Sequence, residues 1–381
     1  MTARVLIIAG SDSGGGAGIQ ADIKTVTMLG GHAMTAIAAI TAQNTMGVQG
    51  VHAVPAEMVL MQIDSVTADI GVDAVKIGMI GSAQTAAAVA DRLARPDLAG
   101  AAVVFDPVMV ATSGSALADA ATIRAFEALL DRATVATPNR DELAALGGEA
   151  AVLAHGCALL AKGGHGDGDT VTDRLIEPDA GEVARWEAPR IDTPHTHGTG
   201  CTLASAIATG LAQGMPLEPA IARARDFVRL SLLAAPGLGE GHGPMGQQAV
   251  RNDGLFTGPA LNQFTLPTRD YAASLAFYKL MGLTQIVDSP ANGYARFEAV
   301  NGVTLSIHVG ETAAAGGATT YLESGALDAW VAYLARRGVR FDQMPRDEEW
   351  GWREARLTDP AGNSLCLYQA GEYRRYPPWR L

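Results

Sequence analysis

Cysteine is scarce: Cys157, Cys201 and Cys366 are the only three in 381 residues, odd in number and far apart. That excludes a disulfide framework and fits a reduced, intracellular setting. Basic charge is short too. Lys and Arg total 28 against 40 Asp and Glu, a formal net charge of -12. This argues against a nucleic-acid or anionic-membrane partner, and leaves room only for a local basic pocket that takes a nucleotide. No uninterrupted apolar run is long enough to span a bilayer, and Met1 to Gly10 reads as a first strand rather than a leader. A soluble, cytoplasmic protein with no nucleic-acid or membrane partner is expected. Aromatics are only 6% of the chain, and all eight tyrosines lie between Tyr271 and Tyr376. Trp330, Trp350, Trp352 and Trp379 likewise lie after Gly258. With 48% apolar residues over this length, two domains of different composition are expected.

Glycine, by contrast, is abundant and well placed. Val5 to Ala9 is an apolar run that ends in Gly10-Ser-Asp-Ser-Gly-Gly-Gly-Ala-Gly18, followed by a helical pattern from Ile19 to Val26. Ala36 to Ala42 is a second run, stopping at Gln43-Asn44. Pro55 to Asp69 predicts a helix, and Ala74 to Met79 a strand. Further strands end in Asp106-Pro107, Thr137-Pro138-Asn139 and Lys162-Gly-Gly-His165. Apolar strands alternating with helices predict an α/β domain with a mostly parallel sheet and helices on both faces. Its polar residues collect at the carboxyl ends of strands, where open α/β sheets bind ligands. We place this domain at 1–248, a linker at 249–260, a second domain at 261–370 and a tail at 371–381. In the second domain Phe264–Thr268, a helix at Tyr271–Met281 and strands near 283–287, 294–299 and 304–308 repeat as 319–322, a helix at Leu327–Arg337 and strands near 339–341, 352–357 and 364–368. That is α+β, two β-α-β-β-β modules.

The densest chemistry is His195-Thr-His-Gly-Thr-Gly-Cys-Thr-Leu203. A glycine turn opening a helix leaves backbone N–H groups aimed at one point, so Gly198, Thr199 and Gly200 form an anion site. Cys201 at such a terminus is expected to have a lowered pKa and to act as a base. Gln43 offers a donor and an acceptor side by side, the complement of an aminopyrimidine edge. Asp22, one turn into its helix, is expected to bond a hydroxyl, against the plainer reading of a solvated helical carboxylate. Asn139-x-x-Glu142 reads as a capping box and also as a place for Mg²⁺, with Asp106 sharing the ion's hydration shell. Lys162 is expected to neutralise phosphate. Together these parts describe phosphoryl transfer.

The motifs Ala-Gly-Ser-Asp-Ser-Gly-Gly-Gly-Ala-Gly-Ile-Gln-Ala-Asp (9–22), Ala-Gln-Asn-Thr (42–45), Lys-Ile-Gly-Met (76–79), Asp-Pro-Val-Met (106–109), Thr-Pro-Asn (137–139), Lys-Gly-Gly-His (162–165), Thr-His-Gly-Thr-Gly-Cys-Thr (196–202) and Gly-His-Gly-Pro (241–244) occur in order. In these, residues 1 to about 248 resemble the hydroxymethylpyrimidine/phosphomethylpyrimidine kinases of thiamine synthesis, in the ribokinase-like superfamily. The resemblance implies ATP-dependent phosphorylation of a hydroxymethylpyrimidine and then of its monophosphate. It implies a substrate pocket of Gly10, Asp22, Gln43, Met79 and Val108, nucleotide contacts at Thr137, Asn139 and Lys162, Mg²⁺ near Asp106 and Glu142, and a homodimer by family analogy. Ser13-Gly14 departs from a common Pro-Ser, and His195 from a frequent Asn. Pyridoxal kinases, some of which share the Gly-Thr-Gly-Cys ending, are the near alternative.

Residues 261–370 resemble the vicinal oxygen chelate superfamily of glyoxalases, dioxygenases and bleomycin-resistance proteins. The cues are Asp270-x-x-x-Ser274-x-x-x-Phe-Tyr278-x-x-x-Gly282 and Asp359-Pro-x-Gly-Asn363. The superfamily's four metal-ligand points fall on Gln263, Ser306 or His308, Thr319 and Cys366. Because this is a poor donor set, no metal is expected there. A binding domain lined by Trp350, Trp352 and Tyr321 is expected, with a metal-dependent lyase or drug-binding resistance module as the alternative.

Overall fold

The computed structural model of the chain describes residues 2–110, 114, 117–164, 168–250, 263–299, 302–310 and 319–370. The chain divides into two compact units, Met1–Thr257 and Gly258–Leu381. The first contains strands β1 (Arg4–Ala9), β2 (His32–Ile37), β3 (Ala39–Asn44), β4 (Gly47–Ala53), β5 (Ala74–Ile77), β6 (Ala102–Phe105), β7 (Val135–Ala136), β8 (Ala158–Ala161), β9 (Thr170–Glu177) and β10 (Gly181–Pro189). Its helices are α1 (Gly18–Met28), α2 (Ala56–Asp69), α3 (Ala83–Leu93), α4 (Ala120–Leu130), α5 (Arg140–Ala145), α6 (Glu149–Leu153), α7 (Thr199–Ala212) and α8 (Leu217–Leu233).

Eight strands form one sheet in the order β10-β9-β8-β7-β6-β5-β1-β2. From β8 to β2 all neighbours are parallel, and β9 and β10 add an antiparallel hairpin at one edge. The unbroken apolar run Val5 to Ala9 is fully buried because the sheet is covered on both faces. Leu6 and Ile8 face a core shared with Val59 and Ile63 of α2, Val89 of α3 and Phe126 of α4. Val5, Ile7 and Ala9 face the opposite core, shared with Val26 of α1, Ile207 of α7 and Phe227 of α8. Such a strand, sealed by three helices on each side, makes a stiff floor for the loops at its end.

Two expectations are corrected. The run Ala36 to Ala42 is not one strand. It breaks after Ile37, and β3 leaves the main sheet to pair with β4 as a separate two-stranded ribbon. Gln43 therefore stands on that ribbon, not at the end of a sheet strand. In the second unit, the strand expected near 339–341 forms instead at β16, given below. Val339 and Phe341 pack on the core without joining the ladder, so their hydrophobicity marks core contact rather than strand pairing.

The second unit contains β11 (Gln263–Thr268), α9 (Tyr271–Leu280), β12 (Thr284–Ser289), β13 (Tyr294–Glu298), β14 (Thr304–Val309), β15 (Thr320–Glu323), α10 (Leu327–Arg336), β16 (Gln343–Asp347), β17 (Arg353–Thr358) and β18 (Ser364–Gln369). Two four-stranded sheets, β11-β14-β13-β12 and β15-β18-β17-β16, repeat one topology. One core joins them, with Tyr278, Phe297 and Leu305 of the first module against Leu334, Leu357 and Leu367 of the second. The Tyr278 hydroxyl donates to Asp359 Oδ2 at 2.7 Å, and the Asn363 amide donates to the Pro267 carbonyl at 3.1 Å. The Asp-Pro-x-Gly-Asn turn thus stitches the two modules together.

Candidate active site

The site is assembled where two glycine segments meet. Gly198 has φ of 86° and caps α7, and a Cβ there would lie 2.0 Å from the Gly16 carbonyl oxygen. Only glycine allows both that backbone conformation and that approach. The meeting point is held by Asp12, which is 2% exposed. Its carboxylate accepts from the backbone N–H groups of Gly14, Gly16 and Ala17 at 2.8, 2.9 and 2.8 Å, and lies 3.0 Å from His197 Nε2. Burial works against its charge, but the bonds from His197 and from the Ala17 and Gly14 amides outweigh that and hold its pKa below the usual carboxylate range. Backbone bonds from His197 N to Gly243 O (3.2 Å) and from His242 N to Thr45 O (2.9 Å) tie in the Gly-His-Gly-Pro segment.

Under the α7 terminus lies an ion pair that sequence reasoning did not find. Lys76 on β5 is fully buried and donates to Asp22 Oδ2 at 2.9 Å, while Ser205 of α7 donates to Asp22 Oδ1 at 2.7 Å. Asp22 is itself fully buried, so the expected substrate hydroxyl is replaced by a protein one. Asp22 holds up the site from below and does not line it. A lysine inside an apolar strand is the signal that was there to read, since a buried ammonium demands a carboxylate.

Cys201 is also corrected. Burial pushes its thiol up to about 11, and the carboxylates of Asp22 and Asp106 add to that shift. The Lys76 ammonium and the Gly18 N–H pull the other way without prevailing. The helix terminus alone predicted a thiolate, but burial, with two buried anions near it, favours the thiol.

Asp106, Lys162 and Glu142 form a second cluster beside Gly200, where an added Cβ would lie 3.3 Å from Asp106 Oδ2 and 3.4 Å from Lys162 Nζ. Lys162 donates to Asp106 Oδ1 at 2.9 Å. Burial opposes the Asp106 charge, but Lys162 and Lys76 keep its pKa below normal. Glu142 behaves oppositely: burial first, with Asp106 adding, pushes it up to about 7 against the pull of Lys162. The capping box of Asn139 and Glu142 is fully formed, with Asn139 Oδ1 accepting from Asp141 and Glu142 N and Glu142 Oε2 accepting from Asn139 N. The Asn139 oxygen is thereby committed to the α5 cap. Thr137 is fully buried and donates to Asp106 Oδ1 at 3.1 Å. Thr137 therefore does not reach a nucleotide but orients Asp106.

Of the remaining expected residues, Gly10 and Met79 adjoin, since a Cβ on Gly10 would lie 2.9 Å from Met79 Sδ. Val108 is half-buried and follows Asp106, to whose carbonyl its N–H donates at 2.8 Å. Gln43 joins His197 across the loop: its amide lies 3.1 Å from His197 Nε2. His165 lies outside the described residues. A cavity of about 410 Å³ opens beside Thr199, Gly200 and Lys162, walled by Leu203 and Val228 and by Arg190, Arg225 and Arg229. Arg225 bonds Asp173 at 2.7 Å, and Asp173 accepts from Gly163 N at 2.9 Å, fixing the loop that carries Lys162. These arginines were missed because no glycine-rich or strand-end motif marks them: Arg190 follows β10, and Arg225 and Arg229 lie within α8.

In the second unit two of the four candidate metal points bond each other. Gln263 donates to Ser306 Oγ at 3.5 Å, and Ser306 is also engaged by the Tyr294 hydroxyl at 2.9 Å. Burial, with Glu354 adding, pushes the Cys366 thiol up to about 12. His308 is exposed. Among the described residues no group of three His, Cys, Asp or Glu could hold a metal ion. On the opposite module Trp352 stacks on Tyr368 at 4.7 Å, and Tyr321 meets both rings edge-on.

A glycine-capped helix terminus, a buried cation and paired carboxylates at the ends of a parallel sheet define a ribokinase-like kinase. The profile of the family described as phosphomethylpyrimidine kinase matches residues 12–246, and that of the glyoxalase/bleomycin resistance protein/dioxygenase superfamily matches residues 260–367. The chain belongs to the phosphomethylpyrimidine kinase family and carries a glyoxalase-type domain behind it. It is 47% identical over 262 residues to the hydroxymethylpyrimidine/phosphomethylpyrimidine kinase of Rhizobium meliloti, covering 64% of this chain and 97% of that one. The phosphomethylpyrimidine kinase of Clostridium difficile is similar in structure, with a TM-score of 0.51, 34% identity, and coverage of 59% and 97%. The pyridoxal kinase of Staphylococcus aureus in complex with AMP-PCP and pyridoxal gives 0.58, 27% identity, and coverage of 66% and 96%. No described helix is long and apolar enough to cross a membrane.

Proposed function

We propose that the first unit uses ATP to phosphorylate 4-amino-5-hydroxymethyl-2-methylpyrimidine, and then its monophosphate, in thiamine biosynthesis. The observation that carries this reading is the contact between Gln43 and His197. It puts an amide suited to an aminopyrimidine edge against the same short segment that holds the phosphoryl-binding turn and Cys201.

In this reading the ring is read by Gln43 with Gly10, Met79 and Val108 around it, while Asp22 and Lys76 support the floor. The triphosphate enters along the 410 Å³ cavity past Lys162. Phosphoryl transfer is largely positioning and charge stabilisation. The N–H groups of Gly198 to Cys201 face the oxygens of the moving group and strengthen as charge develops there. Cys201 accepts the hydroxymethyl proton as the oxygen attacks. It does so from its thiolate, the minor form where burial holds the thiol at about 11, and that form takes the proton firmly from the hydroxyl. Mg²⁺ fits Asp106 and Glu142: burial and the Asp106 carboxylate keep a proton on Glu142 up to about 7, and a divalent ion held there with phosphates and water would favour its ionised form. When bound, the ion supplies neutralisation of the triphosphate. The test is Cys201→Ala, which abolishes turnover while nucleotide binding survives; undiminished turnover sinks the base role. Kinetics on the monophosphate decide the second step.

Likeness to the pyridoxal kinase structure supports a second reading, a vitamin B6 kinase. Turnover on hydroxymethylpyrimidine against pyridoxal separates the two. For the second unit we propose a metal-free binding domain rather than a lyase or a drug-resistance module, supported by the poor donors at its four points and by the Trp352–Tyr368–Tyr321 cluster. Stoichiometric metal in the dialysed full chain carrying Asp106→Asn and Glu142→Gln refutes it. We further propose working boundaries of 1–248, 249–260, 261–370 and 371–381, checked by limited proteolysis, and a cytoplasmic homodimer. The exposed Ile40 and Val51 of the ribbon and Met58 and Met61 of α2 supply an apolar face for it, and light scattering tests it.

A further inference from the structure

Asp12, His197 and Gln43 form a bonded chain whose proton positions can be deduced. The Asp12 carboxylate receives three backbone N–H groups and is an acceptor only. His197 Nε2, 3.0 Å from Asp12 Oδ2, must therefore carry a hydrogen. The same nitrogen faces one terminal atom of the Gln43 amide at 3.1 Å. Two donors do not bond, so that atom is the amide oxygen, which shares the one Nε2 hydrogen with Asp12 in a three-centre bond. The other terminal atom faces Thr41 Oγ1 at 3.2 Å and is then the amide nitrogen. This resolves a second conflict. Thr41 has one hydroxyl proton, and it goes to the Ser11 carbonyl at 2.8 Å. Thr41 Oγ1 cannot also donate to Gln43, but it can accept from it. Amide orientation is settled by such matching of donors to acceptors.

We infer that His197 is a positioning residue that fixes which way Gln43 presents its amide, and so sets the order of donor and acceptor that the phosphate-accepting ring must match. The inference rests on the pyrimidine reading above. The amide oxygen has two lone pairs and spends one on His197. The amide nitrogen has two hydrogens and spends one on Thr41. One acceptor and one donor remain, side by side, in a fixed order. A 4-aminopyrimidine supplies the match, amine hydrogen to the oxygen and ring nitrogen to the N–H. The 4-oxo analogue presents the reverse order, a ring N–H and a carbonyl. Its ring cannot turn over to compensate, because the 5-hydroxymethyl group must point at Cys201. A free amide would flip and read both rings, whereas a pinned one reads only the first.

The test is kcat/KM for the amino compound and its 4-oxo analogue in wild type, His197→Leu, His197→Gln and Thr41→Val. Wild type is expected to prefer the amino compound by roughly 100-fold or more, as sites with fixed buried polar groups do. His197→Leu is expected to cut that ratio at least about tenfold, mainly through KM, by freeing the amide. His197→Gln, which returns an N–H near the same place, should restore most of it. Thr41→Val, which leaves the Asp12 contacts alone, should lower the ratio too and covers the case in which His197→Leu does not fold. A purely structural role for His197 slows both substrates alike, so an unchanged ratio in the leucine and valine variants overturns the inference. Equal use of both rings by wild type also overturns it while leaving the pyrimidine reading intact. Failure of wild type to use the amino compound at all overturns that reading, and this inference with it.

Discussion

Cys201 gives the sharpest test of the site's electrostatics, because the helix terminus predicts a thiolate while burial beside two carboxylates predicts a thiol. With the thiol at about 11 in the free enzyme, the thiolate fraction at pH 7.5 is about 3 in 10,000. An unperturbed thiol near 8.5 would be about one-tenth ionised there, some 300-fold more. Alkylation follows the thiolate, so iodoacetamide labelling of the Cys201 peptide, followed by mass spectrometry, should be slow at neutral pH. It should rise about tenfold per pH unit from 7 to 9.5 without levelling. Cys157, also pushed up to about 11 and 1% exposed, serves as an internal reference for a sealed thiol. A Cys201 profile that levels off below pH 8.5 would falsify the reasoning, since it means that the Gly198 turn and Lys76 outweigh burial and the charges of Asp22 and Asp106. The stability sign follows as well. The unfolded thiol ionises first as pH rises, so the contribution of the folded thiol is complete below about 8.5 and is lost between there and about 11.

Gly198→Ala meets both a φ of 86° and a contact 2.0 Å from the Gly16 oxygen. We expect a loss of about 2 to 4 kcal/mol in chemical denaturation and at least a hundredfold drop in kcat, because the N–H groups lose their aim; wild-type values would mean that the two loops are not in contact. Asp22→Ala strands the Lys76 ammonium and should cost about 3 to 5 kcal/mol, with much of that recovered in the Asp22→Ala/Lys76→Met double variant; additive losses would dismiss the pair. Glu142, raised to about 7 from an unfolded value near 4.5, contributes stability that is full below 4.5 and is lost as pH rises through 7. The melting temperature of Glu142→Gln should therefore gain on wild type between those values and hold a constant lead above them, and a gap independent of pH would show that the carboxyl is not perturbed.

Much of the first unit was legible because its strands are continuous apolar runs that stop at polar residues. Val5 to Ala9 could only be a strand covered on both faces, and the structure covers it. What stayed hidden had no local signature. Lys76 lies in the middle of such a run, where the eye reads Lys-Ile-Gly-Met as a strand end, and its meaning appears only when Asp22 and Ser205 arrive from 54 residues upstream and from α7. The ribbon of β3 and β4 was missed because Ala36 to Ala42 carries no glycine or proline at the break. There the bond from Val54 N to Ala38 O shows the chain changing partners. The strand at 339–341 failed for the converse reason: two buried apolar side chains imitate a strand, while the true edge strand Gln343–Asp347 is polar and alternates weakly.

The same distinction explains how far the functional residues could be assigned. The residues proposed to act through their own chemistry, the Gly198 turn, Gln43 and Lys162, were visible as types at strand ends and helix starts. Asp22, Thr137 and Asn139 are the same residue types in the same kinds of places, yet the structure gives each a protein partner: Lys76, Asp106 and the first turn of α5. Sequence position alone does not separate a carboxylate that meets a ligand from one that holds up a neighbour that does. The separation is made by counting donors and acceptors in the folded chain. That count also turns His197 from a motif letter into the group that orients Gln43.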